Sequence, residues 1–134
     1  MRPHAIQVAH VGDCADLDAI ERLLALGTFA GMDRYGLDVF CPSERRNEVV
    51  AALCERGYGD RLMLAHDSCA TLDWYPPGVV DALAPRWRPT LLFEDELPAL
   101  ARLGVGNDQI ETMLVANPAL AGGMSRPSAP RWAQ

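Results

Sequence analysis

Apolar and polar positions along this chain follow two alternating patterns. Three short segments, Ala5 to Ala9, Thr28 to Met32 and Arg61 to Ala65, are dominated by consecutive apolar residues and read as buried strands. Between them the apolar positions take helical spacing, first Leu17, Ile20, Leu23 and Leu24, then Val49, Val50 and Leu53. Asp16 stands where a cap opens the first helix, and Pro42-Ser43-Glu44 opens the second. Gly27, Gly57 and Gly104 each follow a helical stretch, where a left-handed residue ends it. Strand, helix, strand, helix, strand is the order of a parallel α/β sheet.

After Asp67 the pattern changes. Ser68 to Pro89 carries Trp74, Pro76-Pro77, Pro85 and Trp87, a long loop of the kind that lines a pocket, with a short helix at Val79 to Leu83. Leu97 to Leu103 and Gln109 to Leu114 return to helical spacing and are expected to pack outside the sheet. Gly122 to Gln134, rich in Gly, Pro, Ser and Ala, reads as a disordered tail, leaving residues 1–121 as the folded unit. Three parallel strands leave unpaired edges, whereas a complete (β/α)8 barrel needs roughly 250 residues. The 134 residues here therefore read as part of such a barrel.

Composition narrows the function. The 49% hydrophobic and 22% charged content is that of an ordinary globular protein. A net charge of -6, with no basic run and no long apolar stretch, argues against nucleic-acid and membrane partners. Met1-Arg2-Pro3-His4 lacks a signal-peptide apolar segment, which points to the cytoplasm. Cys14, Cys41, Cys54 and Cys69 form no C-x-x-C pair and read as reduced thiols, with Cys54 on the apolar side of its helix.

The candidate chemistry stands where strands end. His10 follows the first strand, Asp33-Arg34 the second and His66-Asp67 the third. In parallel α/β barrels catalytic groups occupy those ends, and imidazole with carboxylate suits zinc and neighbouring first-row metals. Asp13 serves equally as a helix cap or as part of a proton network. Arg34 suits either an ion pair with a nearby Asp or a place in the pocket. Cys69 and Trp74 are candidates to line that pocket, Trp74 equally as an anchor for the loop. His66 falls on the opposite face from Asp67 and reads as packing or support. Gly12 and Gly36 are read as relieving strain at turns.

The stretches Val8-Ala9-His10-Val11-Gly12-Asp13, Gly31-Met32-Asp33-Arg34-Tyr35-Gly36-Leu37-Asp38 and Ala65-His66-Asp67-Ser68-Cys69 resemble the phosphotriesterase family of the amidohydrolase superfamily. So do Thr71-Leu72-Asp73-Trp74, Ala84-Pro85-Arg86-Trp87 and Leu92-Phe93-Glu94-Asp95, in the family's order and over residues 5 to about 118. Asp-Arg-Tyr-Gly-Leu-Asp, with Arg34 where organophosphate-degrading members carry histidine, is similar to the phosphotriesterase-like lactonase branch.

This resemblance implies strands six, seven and eight of a TIM-type (β/α)8 barrel. It implies a hydrolase with two divalent metals, zinc foremost, acting on lactones or esters with phosphotriesters as a side activity. By position His10 and Asp67 match metal ligands. Asp67 also matches the group that takes the proton of the attacking hydroxide, Asp13 the network behind it, and Arg34 a residue that contacts substrate or orients Asp67. Intact members are expected to be homodimers. The family's other ligands, an H-x-H pair, a carboxylated lysine and a further histidine, have no match, and the sequence contains no lysine at all. The alternative is a truncated, non-catalytic remnant that needs the missing barrel half.

Overall fold

A computed structural model describes residues 5–69, 71–73 and 75–125. Its centre is a parallel three-stranded sheet of β1 (Gln7–Val8), β2 (Phe29–Met32) and β3 (Leu62–Leu64), in that spatial order. The register pairs Val8 with Ala30, Ala30 with Leu62 and Met32 with Leu64. The strands are shorter than the apolar segments suggest. The first stops at Val8 because the chain turns immediately, His10 being left-handed and Val11–Asp13 a 3-10 turn.

The helices follow the sequence pattern. α1 (Leu17–Leu24) is capped by Asp16, whose carboxylate accepts from the Ala19 amide at 3.1 Å. That leaves Asp13 free of the capping role. α2 (Ser43–Glu55) is capped from further back. Asp38 Oδ1 accepts from both the amide and the hydroxyl of Ser43, each at 3.0 Å, so the end of the Asp33-to-Asp38 loop starts the next helix. Gly27, Gly57 and Gly104 are all left-handed, as the helix-end reading requires.

α3 (Val79–Leu83) forms within the long loop. Beyond it the helical region exceeds expectation: a π-helical turn at Leu92–Glu96 leads into α4 (Leu97–Arg102). α5 (Asn107–Glu111) continues through a second π turn, Thr112–Ala116, into α6 (Asn117–Ala121).

One core joins these layers. Ala30, Met32, Leu62 and Leu64 from the sheet pack with Ile20 and Leu24 of α1 and with Val49, Val50 and Leu53 of α2. Leu92, Leu100 and Met113 close it from the C-terminal helices. Cys54 belongs to this core, and burial pushes its thiol pKa up to about 11. All four cysteines are free thiols. Among the described residues no helix is long and apolar enough to cross a membrane. Of the expected tail, residues 126–134 lie outside the described residues.

Candidate functional site

The parallel sheet delivers four polar side chains to one edge. His10 comes two residues after β1, Asp33 and Arg34 directly after β2, and Asp67 three residues after β3. His10, Arg34 and Asp67 have φ values of 62°, 62° and 53°, and among the described residues they are the non-glycine residues with positive φ. A left-handed L-residue costs roughly 1–2 kcal/mol. Such outliers gather where a site demands a particular side-chain direction.

The side chains form a continuous polar chain. His10 Nδ1 faces Asp33 Oδ1 at 3.1 Å, while the His10 amide donates to Asp33 Oδ2 at 3.2 Å. Asp67 Oδ2 lies 4.0 Å from the same imidazole nitrogen and 3.5 Å from Arg34 Nε. Arg34 Nη1 donates to Asp13 Oδ2 at 2.9 Å, and both terminal nitrogens of Arg46 reach Asp13 Oδ1 at 3.1 Å. Asp33 is buried, whereas His10 and Asp67 remain 40% and 43% exposed at their side chains, open to a ligand.

Electrostatics keep Arg34 charged. Its partial burial pulls the guanidinium pKa down, but pairing with Asp13 and then with Asp67 outweighs this and raises it above the ordinary value. Its Nε is buried and without an aligned hydrogen-bond acceptor, although it points within ion-pair distance of Asp67. A buried donor left in this state is costly unless another oxygen arrives.

Beside Arg34 and Asp67 opens a pocket of about 350 Å³. Leu37 and Phe40 line it from the loop after β2, and Cys69, Leu72 and Trp87 from the long loop. The Phe40 ring covers the Arg34 guanidinium at 4.8 Å. Trp87 is fixed by its indole N–H, which donates to the His66 carbonyl at 2.9 Å. His66 itself accepts from the Ser68 amide at 2.8 Å, bracing the turn that carries Asp67.

The site residues expected from the sequence thus fall into one place: His10, Asp13, Arg34, Asp67 and Cys69 share the edge and its pocket. Trp74 lies outside the described residues. Asp33, named only as a strand-end residue beside Arg34, proves to be the partner of His10. Arg46 is a participant that the sequence analysis does not name, although it falls three, four and seven residues before Val49, Val50 and Leu53 and so shares their apolar face. Gly12 also has a different reason from the one expected. It has no positive φ; instead, a Cβ there would sit 2.5 Å from Arg46 Nη1.

As a metal site the donor set is suitable in kind and short in number. A carboxylate on His10 Nδ1 fixes the tautomer and leaves Nε2 as the available lone pair, the arrangement common behind metal-binding histidines. Asp67 adds a half-exposed carboxylate. Among the described residues, however, no group of three or more His, Cys, Asp or Glu side chains is placed to hold a metal ion.

Comparison with known proteins matches residues 4–121 to the phosphotriesterase family. The chain is 44% identical over 118 residues to an aryldialkylphosphatase of Saccharolobus solfataricus, covering 87% of this chain and 38% of that protein. Among solved structures it superposes on the phosphotriesterase from Mycobacterium tuberculosis with a TM-score of 0.87 and 38% identity, covering 90% of this chain and 37% of that one. A mutant of the phosphotriesterase-like lactonase from Deinococcus radiodurans gives a TM-score of 0.80 at 30% identity, covering 89% and 39%. The chain therefore spans a little over a third of the length of these relatives.

Proposed function

Because the chain belongs to the phosphotriesterase family, we propose that it forms strands six to eight of a metal-dependent hydrolase barrel that opens lactones and related esters. Phosphotriesters would be secondary substrates. The observation that carries this reading is the convergence of His10, Arg34 and Asp67, all left-handed, at the carboxyl edge of three adjacent parallel strands.

In this reading His10, through Nε2, and Asp67 would each hold a divalent metal, zinc by donor chemistry. The metals would supply a low-pKa water nucleophile and polarise the substrate oxygen. The remaining donors would come from barrel strands outside this chain. Asp67 would take the proton released as the nucleophile attacks. Arg34, in contact with Asp67 on one side and Asp13 on the other, would keep the Asp67 carboxylate oriented. The Leu37, Phe40, Leu72 and Trp87 walls of the pocket suit an aliphatic acyl chain.

The number of donors among the described residues favours a second reading for the chain by itself. Two donors do not enclose a first-row metal, so the isolated chain would be non-catalytic.

The substrate class is testable in a fusion in which this chain replaces the matching segment of the Saccharolobus relative. Arg34 is a cation that favours a developing carboxylate or alkoxide, and the apolar pocket favours an alkyl chain. The fusion is expected to prefer an aliphatic lactone to an aryl phosphotriester by about tenfold or more in kcat/KM. Preference for the phosphotriester would overturn the lactonase assignment while leaving the family membership in place.

A further inference from the structure

We propose that Arg46, on the helix outside the sheet, is a positioning residue for the site, holding Asp13 so that Asp13 in turn holds Arg34 against Asp67. The consequence for turnover rests on the hydrolase reading above.

The geometry divides one carboxylate between two arginines. Arg46 places both terminal nitrogens 3.1 Å from Oδ1 of Asp13, and Arg34 takes Oδ2 at 2.9 Å. With each oxygen engaged, the Asp13 carboxylate cannot rotate without breaking a charge-assisted bond. Arg34 Nε then faces Asp67 at 3.5 Å.

Arg46 is itself immobile. It is 0% exposed, its Nη2 also donates to the Cys41 carbonyl at 3.2 Å, and its guanidinium lies 5.6 Å from the centre of the Tyr35 ring. An arginine buried this completely is destabilising unless paired, and Asp13 is the carboxylate that pairs with it. The turn before α1 is shaped around that guanidinium. Gly12 leaves the space, since any Cβ there would lie 2.5 Å from Nη1, and Asp13 supplies the charge. A side chain needed only to fill volume would require neither the fork nor the glycine.

Two arms test this. In the 134-residue chain, nitrogen-15 NMR of the arginine side chains reads Arg34 directly. In the unaltered chain its guanidinium signals are expected to be individually resolved and slow to exchange. Arg46→Lys keeps the charge and most of the volume but loses the fork, and should collapse the Arg34 signals to the averaged pattern of a freely rotating group. Asp13→Asn should do the same, and the double variant should add nothing. Unchanged Arg34 signals in Arg46→Lys overturn the proposal; if that variant does not fold, unchanged signals in Asp13→Asn do so.

In the fusion enzyme, Arg46→Lys should lower kcat about tenfold with KM little changed. It should have no further effect when Asp13 is already Asn, whereas independent, multiplying losses would assign Arg46 to packing alone. Should the unaltered fusion show no hydrolysis, the hydrolase reading fails, and the NMR arm still decides the role of Arg46.

Discussion

Asp67→Asn in the fusion enzyme is expected to reduce lactone turnover by about a thousand-fold or more, the range for loss of a positioned base. The carboxylate stands at the meeting point of the two halves of the polar chain, 4.0 Å from His10 Nδ1 and 3.5 Å from Arg34 Nε. Asparagine is the informative replacement because of the backbone. Asp67 has a φ of 53°, a region that asparagine tolerates and most other residues resist. The variant therefore removes charge and basicity without disturbing the turn after β3. Arg34 loses one of its two carboxylates but keeps its bond to Asp13. Steady-state kinetics with an aliphatic lactone, alongside near-ultraviolet circular dichroism, separate loss of chemistry from loss of fold. Turnover within tenfold of the unaltered enzyme would remove Asp67 from the mechanism.

The largest effect on stability is expected at Gly36. Its φ is +91°, and a Cβ there would lie 2.7 Å from Leu91 Cδ2, 2.8 Å from Trp87 Cα and 2.9 Å from the Arg86 carbonyl oxygen. Two of these neighbours are backbone and cannot rotate away. Gly36→Ala should cost about 3–4 kcal/mol, combining a left-handed alanine with overpacking. Gly57→Ala is the control. Its φ of +88° imposes a similar conformational cost, but nothing lies within 4 Å of the added methyl. It should lose only about 1 kcal/mol. Urea unfolding of both variants isolates the close contact as their difference, and equal losses would show that the long loop does not pack against Gly36. The consequence reaches the site, because Trp87 lines the pocket beside Arg34 and tethers to the His66 carbonyl.

What the sequence made legible follows a physical line. α1 and α2 were readable because burial on one face imposes a period on the apolar residues, and Asp16 and Pro42-Ser43 sit where helix starts need them. The edge positions of His10, Arg34 and Asp67 followed from strand ends alone. Their left-handed backbone did not, since nothing in a histidine, arginine or aspartate forces that conformation.

Arg46 was hidden by its charge. Helical spacing puts it with Val49 and Val50, but a charged residue on an apolar face is legible as buried only when its partner is known, and Asp13 lies 33 residues away. The start of the helical region at Leu92 was hidden similarly. The sequence pattern starts this helix at Leu97, yet Glu96 before it is buried, bonded to Asn47 at 2.7 Å and Arg86 at 2.8 Å. In each case the missing information was a long-range polar contact, which leaves no periodicity in the sequence.

Metal content tests the central claim most directly. The fusion, purified after exposure to zinc and desalted, is expected to carry about two metal equivalents per chain, as a two-metal hydrolase requires. His10→Asn removes the imidazole while remaining compatible with the left-handed backbone at φ 62°. Elemental analysis of this variant should show about one equivalent, with the loss confined to the metal that His10 holds. An unchanged content of two equivalents, with undiminished lactone turnover, would contradict the assignment of this strand edge as a metal site.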